Sequence, residues 1–124
     1  MVDCTALYKN LGCKSGWPSG AFLYMRGYGI STEEQYPWKG KEESCHRPGG
    51  KYKPEFVSAS IDCTQLTSDI NNQPIAVTVD AAKWKDYEGG IFSTCNTALN
   101  HAVLLVGILN GTWKVKNSWG TSWG

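Results

Sequence analysis

The stretch of sequence that decides the fold is NHAVLLVGILNGTWKVKNSWG, residues 100–120. Its centre is the dipeptide Asn110-Gly111, with a strand-like run on either side, Ala102 to Ile108 and Thr112 to Lys116. Asn-Gly favours two-residue hairpin turns because both residues accept a positive φ. The stretch therefore predicts two antiparallel strands joined at Asn110-Gly111.

The length of that turn decides whether His101 and Asn117 can act together. With a two-residue loop, Asn117 lies opposite Leu104, and its side chain and that of His101 point to opposite faces. A three-residue loop, Leu109-Asn110-Gly111, instead places Asn117 opposite Val103, on the face that carries His101. If the two residues form a pair, we expect the three-residue loop. A plain two-residue turn with no other bulge would contradict the pairing.

Other elements follow from local patterns. Trp17-Pro18 predicts the start of a helix that ends before Gly29, because proline suits a first turn and glycine a C-cap. The polar stretch Lys39 to Lys53 predicts an exposed loop and the domain boundary. Alternating or β-branched runs predict strands, and a short helix is expected between two of them. These segments are a strand at Phe56 to Ile61, a strand at Ile75 to Val79, the short helix at Ala81 to Tyr87, and a strand-like Ile91-Phe92.

Composition excludes several classes of protein. The chain has 124 residues, a formal net charge of +1 and 19% charged side chains, which fits one soluble domain or a piece of one. Such a balance offers no basic surface for nucleic acid and no polybasic patch for a membrane. The longest apolar run, Ala102 to Leu109, is too short to span a bilayer.

The chain contains an odd number of cysteines, so at least one thiol lacks a partner within it. None of the spacings is C-x-x-C, and the only histidine next to a cysteine is His46, so we expect no metal site. A partly satisfied disulfide framework in an oxidising compartment is the interpretation that we favour. The five are Cys4, Cys13, Cys45, Cys63 and Cys95.

Several motifs resemble those of papain-like cysteine proteases, the cathepsin family. Asn100-His101-Ala102-Val103 and Lys116-Asn117-Ser118-Trp119-Gly120 resemble the histidine and asparagine motifs of that family. Further matches follow in family order along the whole chain. They are Val2-Asp3-Cys4, Gly12-Cys13 with Gly16, Thr32-Glu33-Glu34-Gln35-Tyr36-Pro37, Gln73-Pro74-Ile75 and Gly89-Gly90-Ile91-Phe92.

The resemblance implies a role for each motif residue. His101 would be the acid–base group beside a thiolate nucleophile, and Asn117 would accept a hydrogen bond from its ring and orient it. Trp119 would cover that hydrogen bond and exclude water from it. No cofactor is implied.

The nucleophile is missing from the expected place. In this family the histidine and asparagine follow the catalytic cysteine by about 130–150 residues, which places it about thirty residues before Met1. No Cys-Gly-Ser-Cys-Trp-like signature occurs in the chain. We therefore expect a fragment that lacks the nucleophile segment and the C-terminal end of the enzyme and is inactive alone.

The resemblance also pairs the cysteines. It implies a disulfide between Cys4 and Cys45, and it gives Cys13 and Cys95 partners outside the chain. Cys63 matches no disulfide position of the family, so a free thiol is expected there. One bridge and three thiols are thus the predicted state.

Substrate contacts carry over from the family by position. The backbone of Gly16 would hydrogen-bond an extended peptide in a strand-addition mode. The pocket for the side chain two residues before the cut would be largely apolar. Its predicted members are Trp17, Pro18, Thr78, Ala81, Leu99, Asn100 and Ala102. Trp17 could equally be a core residue at the start of its helix, and the sequon Asn110-Gly111-Thr112 is better explained by the turn than by glycosylation.

The implied fold is α+β and papain-like, present in part. Residues 1–50 would be the end of the helical domain, and residues 51–124 most of an antiparallel β-barrel domain. The implied function is hydrolysis of peptide bonds in a lysosomal or secreted enzyme, monomeric when full length, with peptides or proteins as substrates and cystatin-type inhibitors. The alternative is a short product that acts as a non-catalytic peptide-binding or decoy module.

Overall fold

The structure, a computed structural model, describes residues 1–47, 49–54 and 62–124. The chain divides into two compact units, Met1–Ala59 and Ser60–Gly124. The boundary near residue 50 and the assignment to a helical and a barrel domain stay predictions. The predicted strand at Phe56 to Ile61 lies outside the described residues. In the described part of the chain, no helix is long and apolar enough to cross a bilayer.

Helix α1, Pro18–Tyr28, is the main element of the first unit and confirms the predicted helix. Pro18 stands in the first turn, where its missing N–H costs nothing. Gly29 ends the helix with φ 75° and donates its N–H to the Met25 carbonyl at 2.7 Å. A positive φ is accessible to glycine without a steric cost, so Gly29 is the C-cap that the sequence predicts, but its ψ of 173° lies outside the expected left-handed helical region.

Glycine inside α1 has a packing reason. Gly20 faces a short 3-10 helix, Ala6–Tyr8, and a Cβ at this position would lie 2.5 Å from the Tyr8 carbonyl oxygen. Glycine weakens a helix by roughly 1 kcal/mol relative to alanine. The close approach of the two backbones explains why it is nevertheless present.

Two long-range links close the first unit. Cys4 and Cys45 form a disulfide with an S–S distance of 2.05 Å and a Cα–Cα distance of 4.9 Å. This is the pair that the resemblance joins. Ile30 and Tyr52 form an isolated antiparallel bridge, in which the Ile30 N–H donates to the Tyr52 carbonyl at 2.8 Å. The polar segment before Tyr52 is thereby held against the rest of the unit.

Asp3 fastens the same segment next to the disulfide. Its carboxylate accepts the Tyr36 hydroxyl at 2.6 Å and the Glu43 backbone N–H at 2.8 Å. The Glu43 N–H and the Tyr36 hydroxyl hold the pKa of Asp3 below its usual value, and the bond to Asp3 raises the pKa of Tyr36. Both shifts show that the ionised carboxylate and the neutral phenol are the preferred forms.

The second unit begins its described part with helix α2, Cys63–Asp69, which is not among the predicted elements. Asp62 caps it by accepting the Gln65 N–H at 2.8 Å. Asp62 followed three residues later by Gln65 is a readable start signal for a helix. The strand-like sequence patterns on both sides of α2 explain why this helix is not among the predicted elements.

Two predicted elements are wrong. Residues 81–87 do not form a helix but two successive turns, in which Trp84 donates to the Ala81 carbonyl and Tyr87 to the Trp84 carbonyl. The Asp80 side chain accepts the Ala82 N–H at 2.9 Å, which closes a turn directly after the strand Ile75–Val79. Ile91-Phe92 belongs to no strand, because neither residue pairs with another strand.

The second unit contains a three-stranded antiparallel sheet in its described residues. Its strands are β1, Ile75–Val79, β2, His101–Leu109, and β3, Thr112–Lys116, in the order β1-β2-β3. All three confirm predicted strands. Val103 and Leu105 are buried on one face of the central strand, and Leu105 is only 2% exposed.

The hairpin has the expected register, but a bulge within β2 and not a longer turn produces it. Asn110 and Gly111 have φ values of 50° and 75° and form a two-residue turn that pairs Leu109 with Thr112. The predicted three-residue loop is therefore wrong. A β-bulge supplies the extra residue farther along the strand, at Val106.

Beyond this bulge the register has shifted by one residue. Leu105 pairs with Val115 and Leu104 with Lys116, whereas Gly107 pairs with Lys114. Continued by one step, this register places the residue after Lys116 at the level of Val103. Asn117 therefore reaches the face of His101, as the pairing required.

Candidate active site

His101 begins β2 and is paired with Val79 of β1. Its imidazole lies on the face that buries Val103 and Leu105, because side chains two residues apart along a strand share a face. The ring is half-buried at the end of the sheet. Asn117, just past the end of β3, is half-buried on the same face.

The two side chains meet in a hydrogen bond. His101 Nε2 lies 2.8 Å from Asn117 Oδ1. The same oxygen also accepts the backbone N–H of Ser118 at 2.8 Å. An atom that receives a backbone N–H must be the amide oxygen, so Nε2 of the imidazole carries the proton. Nδ1 is then the ring atom left for other chemistry.

Asn117 keeps one polar atom unpartnered. Its Nδ2 is buried and has no hydrogen-bond partner among residues 1–47, 49–54 and 62–124. A buried amide donor without an acceptor costs about 1–3 kcal/mol. The orientation of Asn117 is therefore dictated by His101 and Ser118 rather than by its own amide nitrogen.

Tryptophans surround the pair. The indole of Trp119 stacks on the His101 ring with centroids 5.0 Å apart and planes 30° apart. Trp84 approaches the same ring edge-on at 6.4 Å. Trp123 stacks on Trp84 and donates its Nε1–H to the Trp84 carbonyl at 2.9 Å. The position of Trp119 over His101 agrees with its expected covering role, whereas Trp84 was not predicted as a neighbour.

Asn100 ties the start of β2 to the end of β1. Its Oδ1 accepts the Ala81 N–H at 2.9 Å, and its Nδ2 donates to the Asp80 carboxylate at 2.9 Å. The N–H of Ala82, the Asn100 amide and the N–H of Asn96 hold the pKa of Asp80 below its usual value. Asp80 was missed in the sequence, although an aspartate directly after a strand is a recognisable signal for side-chain bonds to the following backbone.

Several predicted substrate residues of the second unit lie together. Thr78 and Ala102 are cross-strand partners, and Ala81 is bonded to Asn100. Leu99, the residue before Asn100, is largely exposed. These five residues occupy adjoining ends of β1 and β2.

The remaining predicted contacts lie in the first unit. The backbone N–H of Trp17 donates to Asn10 Oδ1 at 2.7 Å, and Asn10 also packs against Gly16. Trp17 directly precedes α1 with 54% of its surface exposed, so it is not a core residue of this unit. Pro18 follows as the first residue of the helix. Asn10 is an organising residue that the sequence patterns did not identify.

The cysteines of the second unit supply no nucleophile at His101 in the described residues. Cys13, Cys63 and Cys95 are free and exposed, and the bridge and three thiols match the predicted state. Neither Cys63 nor Cys95, the cysteines of the second unit, is hydrogen-bonded to the His101 ring; the described contacts of that ring are to Asn117, Trp84 and Trp119.

Comparison with known proteins gives consistent matches over the full chain. The family model described as papain family cysteine protease matches residues 1–124. Cathepsin L 1 of Paramecium tetraurelia is 39% identical over 128 residues, which cover 100% of this chain and 40% of that protein. Fruit bromelain of Ananas comosus is 36% identical over 137 residues, with 100% and 38% covered. The chain thus spans about 40% of the length of these relatives.

Solved structures show the same similarity. A cysteine protease of Carica candamarcensis in complex with E-64 superimposes with a TM-score of 0.91 at 34% identity, covering 99% of this chain and 61% of that one. Digestive procathepsin L 3 of the Tenebrio molitor larval midgut gives a TM-score of 0.83 at 36% identity, covering 99% and 45%. The bromelain protease structure, also with E-64, gives 0.79 at 34% identity, covering 99% and 61%.

Proposed function

The chain belongs to the papain family of cysteine proteases and has a partial papain-like α+β fold, and on that premise we propose that it supplies the histidine and asparagine of a papain-type active site that hydrolyses peptide bonds. The observation that carries the proposal is the 2.8 Å contact between His101 Nε2 and Asn117 Oδ1 beneath the indole of Trp119. A ring held at Nε2 offers Nδ1 to a thiol.

In this role His101 moves the protons of the reaction. Its imidazolium stabilises a thiolate, which attacks the carbonyl carbon of the peptide. The imidazolium then gives its proton to the leaving amine nitrogen as the C–N bond breaks, and an acyl thioester remains. His101 next takes a proton from the water that attacks this ester, which releases the acid and restores the thiolate. Asn117 keeps the ring in one orientation throughout.

The thiol itself is proposed to come from outside the 124 residues. Cys4 and Cys45 are joined in the disulfide, and neither free cysteine of the second unit, Cys63 or Cys95, is hydrogen-bonded to His101. We therefore expect the isolated chain to be inactive. The chain would contribute one side of the site, and the complete enzyme would contribute the nucleophile.

The proposed substrate is an extended peptide. It would pair with the backbone of Gly16 and present a side chain to a largely apolar pocket. The proposed pocket residues are Trp17, Pro18, Thr78, Ala81, Leu99, Asn100 and Ala102. The E-64 complexes of two similar structures support a ligand-binding cleft in those proteins. We extend this to a complete enzyme that is monomeric, is inhibited by cystatin-type proteins and is lysosomal or secreted. The disulfide supports an oxidising compartment.

A chimaera tests this proposal. The 124 residues replace the matching segment of fruit bromelain, and we expect the remaining chain of that relative to provide the thiol. The chimaera is expected to hydrolyse a fluorogenic peptide and to be labelled by E-64. Replacing His101 with alanine in it should lower kcat/KM by about 10²–10⁴-fold, the usual contribution of a general acid–base group.

The second histidine provides the control. His46 is exposed in the first unit, so His46→Ala should leave kcat/KM within about twofold of the chimaera. A folded, active chimaera whose rate is unchanged by His101→Ala would contradict the proposal.

The isolated chain distinguishes the alternative. We expect no peptide hydrolysis by the purified 124 residues. Tight binding of a peptide by this chain without hydrolysis, together with an inactive but folded chimaera, would instead favour the peptide-binding or decoy module.

A further inference from the structure

Asp80 is a buried carboxylate that the proposed reaction does not use. It directly follows β1, and only 8% of its surface is exposed. Its Oδ1 accepts the Ala82 N–H and the Asn100 side-chain amide, each at 2.9 Å. Its Oδ2 accepts the Asn96 N–H at 3.2 Å. One carboxylate therefore joins the segment after β1 to the segment before β2.

Asn100 completes a closed set of bonds with the same segment. Its Oδ1 accepts the Ala81 N–H at 2.9 Å, and its backbone N–H donates to the Val79 carbonyl at 3.0 Å. Asp80 and Asn100 thus bond to each other, and each also bonds to backbone groups in the segment of the other. The end of β1 and the start of β2 are held as one piece.

His101 directly follows Asn100, so the bonds made by Asp80 and Asn100 also fix the backbone position of His101. On the side of β3, its ring is held by Asn117 at 2.8 Å. On the side of β1, the corresponding restraint is the bond between Asp80 and Asn100. The ring therefore has two independent supports, one at its Nε2 and one at its backbone.

A carboxylate is the group that this place requires. The donors that converge on Asp80 are the N–H groups of Ala82 and Asn96 and the amide of Asn100. An ionised carboxylate has two acceptor oxygens and no donor, whereas an amide has one oxygen and an NH₂ group. An asparagine at this position would turn its NH₂ towards at least one of these donors. No lysine or arginine in the described residues forms an ion pair with Asp80.

We propose that Asp80 is a positioning residue for His101, which acts through Asn100 to hold the imidazole where Asn117 can accept its Nε2–H. The inference rests on the proposed function, because the orientation of the ring matters only if His101 reacts. A bond network that merely fastened the loop would leave the ring state of His101 unchanged when it was broken.

The test measures the ring tautomer of His101 in the 124-residue chain. Long-range ¹H–¹⁵N spectra report how much neutral imidazole carries its proton on Nε2 rather than Nδ1. The chain has two histidines, so His46 serves as an internal reference and His46→Gln assigns the signals. In Asp80→Asn, we expect the Nε2–H to Nδ1–H ratio of His101 to fall by about threefold to tenfold, as when one ordinary hydrogen bond is weakened.

Two further variants complete the design. Asn100→Ser removes the link to Asp80 together with the bond from the Ala81 N–H, and it should cause a similar fall, which decides the matter if Asp80→Asn does not fold. Asp86→Asn makes the same chemical change at an exposed site of the same loop and should leave the ratio unchanged.

An unchanged His101 ratio in a folded Asp80→Asn or Asn100→Ser chain would overturn the inference. Unfolding of both variants would assign Asp80 a purely structural role and would also overturn it. Either result leaves the proposed function intact, because the bromelain chimaera with His101→Ala tests that separately.

Discussion

The indole of Trp119 lies stacked on the imidazole of His101, at 5.0 Å between ring centroids, on the very ring whose Nε2 bonds to Asn117. Trp119 is 41% exposed, so it stands between the hydrogen bond and solvent. A hydrogen bond is electrostatically stronger where water is excluded. We therefore expect the stack to protect the orientation of the ring.

Removing this cover should expose the bond. In Trp119→Ala, we expect the His101 Nε2–H to exchange faster with water and the unfolding free energy to fall by about 1–2 kcal/mol through lost aromatic packing. Proton exchange by NMR and chemical denaturation measure the two effects. Trp38→Ala, at an exposed tryptophan of the first unit, should change neither for His101. Unaltered exchange in Trp119→Ala would argue against the covering role.

Asn117→Leu removes the acceptor while nearly preserving the shape of the side chain. Hydrogen bonds to charged groups contribute about 1.5–3 kcal/mol, which is about tenfold to a hundredfold in rate. We expect kcat/KM of the bromelain chimaera to fall by this factor, mainly through kcat, because the residue orients His101 and does not bind substrate. Steady-state kinetics separate the two terms. A change confined to KM would show that Asn117 acts on substrate binding instead.

The bulge at Val106 predicts how the hairpin responds when a single residue is deleted. Without Val106, Leu105 and Gly107 can still pair with Val115 and Lys114 in a regular ladder. We therefore expect the deletion variant to keep the His101 tautomer and to lose no more than about 1–2 kcal/mol of stability, the packing of one partly exposed valine.

Deletion of Lys116 is the matched control on the neighbouring strand. It moves Asn117 one step back, opposite Leu104, and turns its side chain to the other face. The His101–Asn117 bond should be lost in this variant, as measured by the Nε2–H signal. Retention of the bond after deletion of Lys116, or its loss after deletion of Val106, would show that the register does not determine the pairing.

The contact between Asp3 and Tyr36 should make the stability of the first unit depend on pH at both extremes. The folded-state pKa of Asp3 is lowered from 3.8, so its stabilising effect is present above that value and lost as pH falls through the lowered pKa. The folded-state pKa of Tyr36 is raised from 10.0, so its effect is present below that value and lost as pH rises through the raised pKa.

Tyr36→Phe removes the partner and checks both ends. The variant should melt at a lower temperature than the parent at neutral pH, and the difference should shrink in strong acid and in strong base. Thermal melting as a function of pH measures it. Tyr52→Phe, at an exposed tyrosine, is the control and should show no pH-dependent difference. A constant difference across the whole range would contradict the ionised contact.

The sequence predicts well those features that depend on adjacent residues or on a recognisable motif. Asn110-Gly111 predicts the turn because few other pairs accept two positive φ values. His101 and Asn117 could be predicted as partners from their motifs. The bulge at Val106 is not among the predicted features, although Gly107 inside the strand is a recognisable signal for one.

The missed features depend on contacts between segments. Asp80 and Asn100 are far apart in the chain, and their bond arises only when β1 lies beside β2. The segment predicted as a helix at Ala81 to Tyr87 is also held by residues distant in the chain, since the Ala81 N–H donates to Asn100 and the Trp123 indole donates to the Trp84 carbonyl. Side-chain bonds of this kind leave little trace in hydrophobic periodicity.

The disulfide between Cys4 and Cys45 spans 41 residues and encloses α1 together with the polar loop around Glu43. A single cut in the backbone anywhere between the two cysteines would therefore leave both pieces in one molecule. A protein proposed to act among proteolytic enzymes would then keep both parts of its chain after one cut in this segment, until the disulfide is reduced. The nicked chain would migrate as one species in the absence of reductant and as two in its presence.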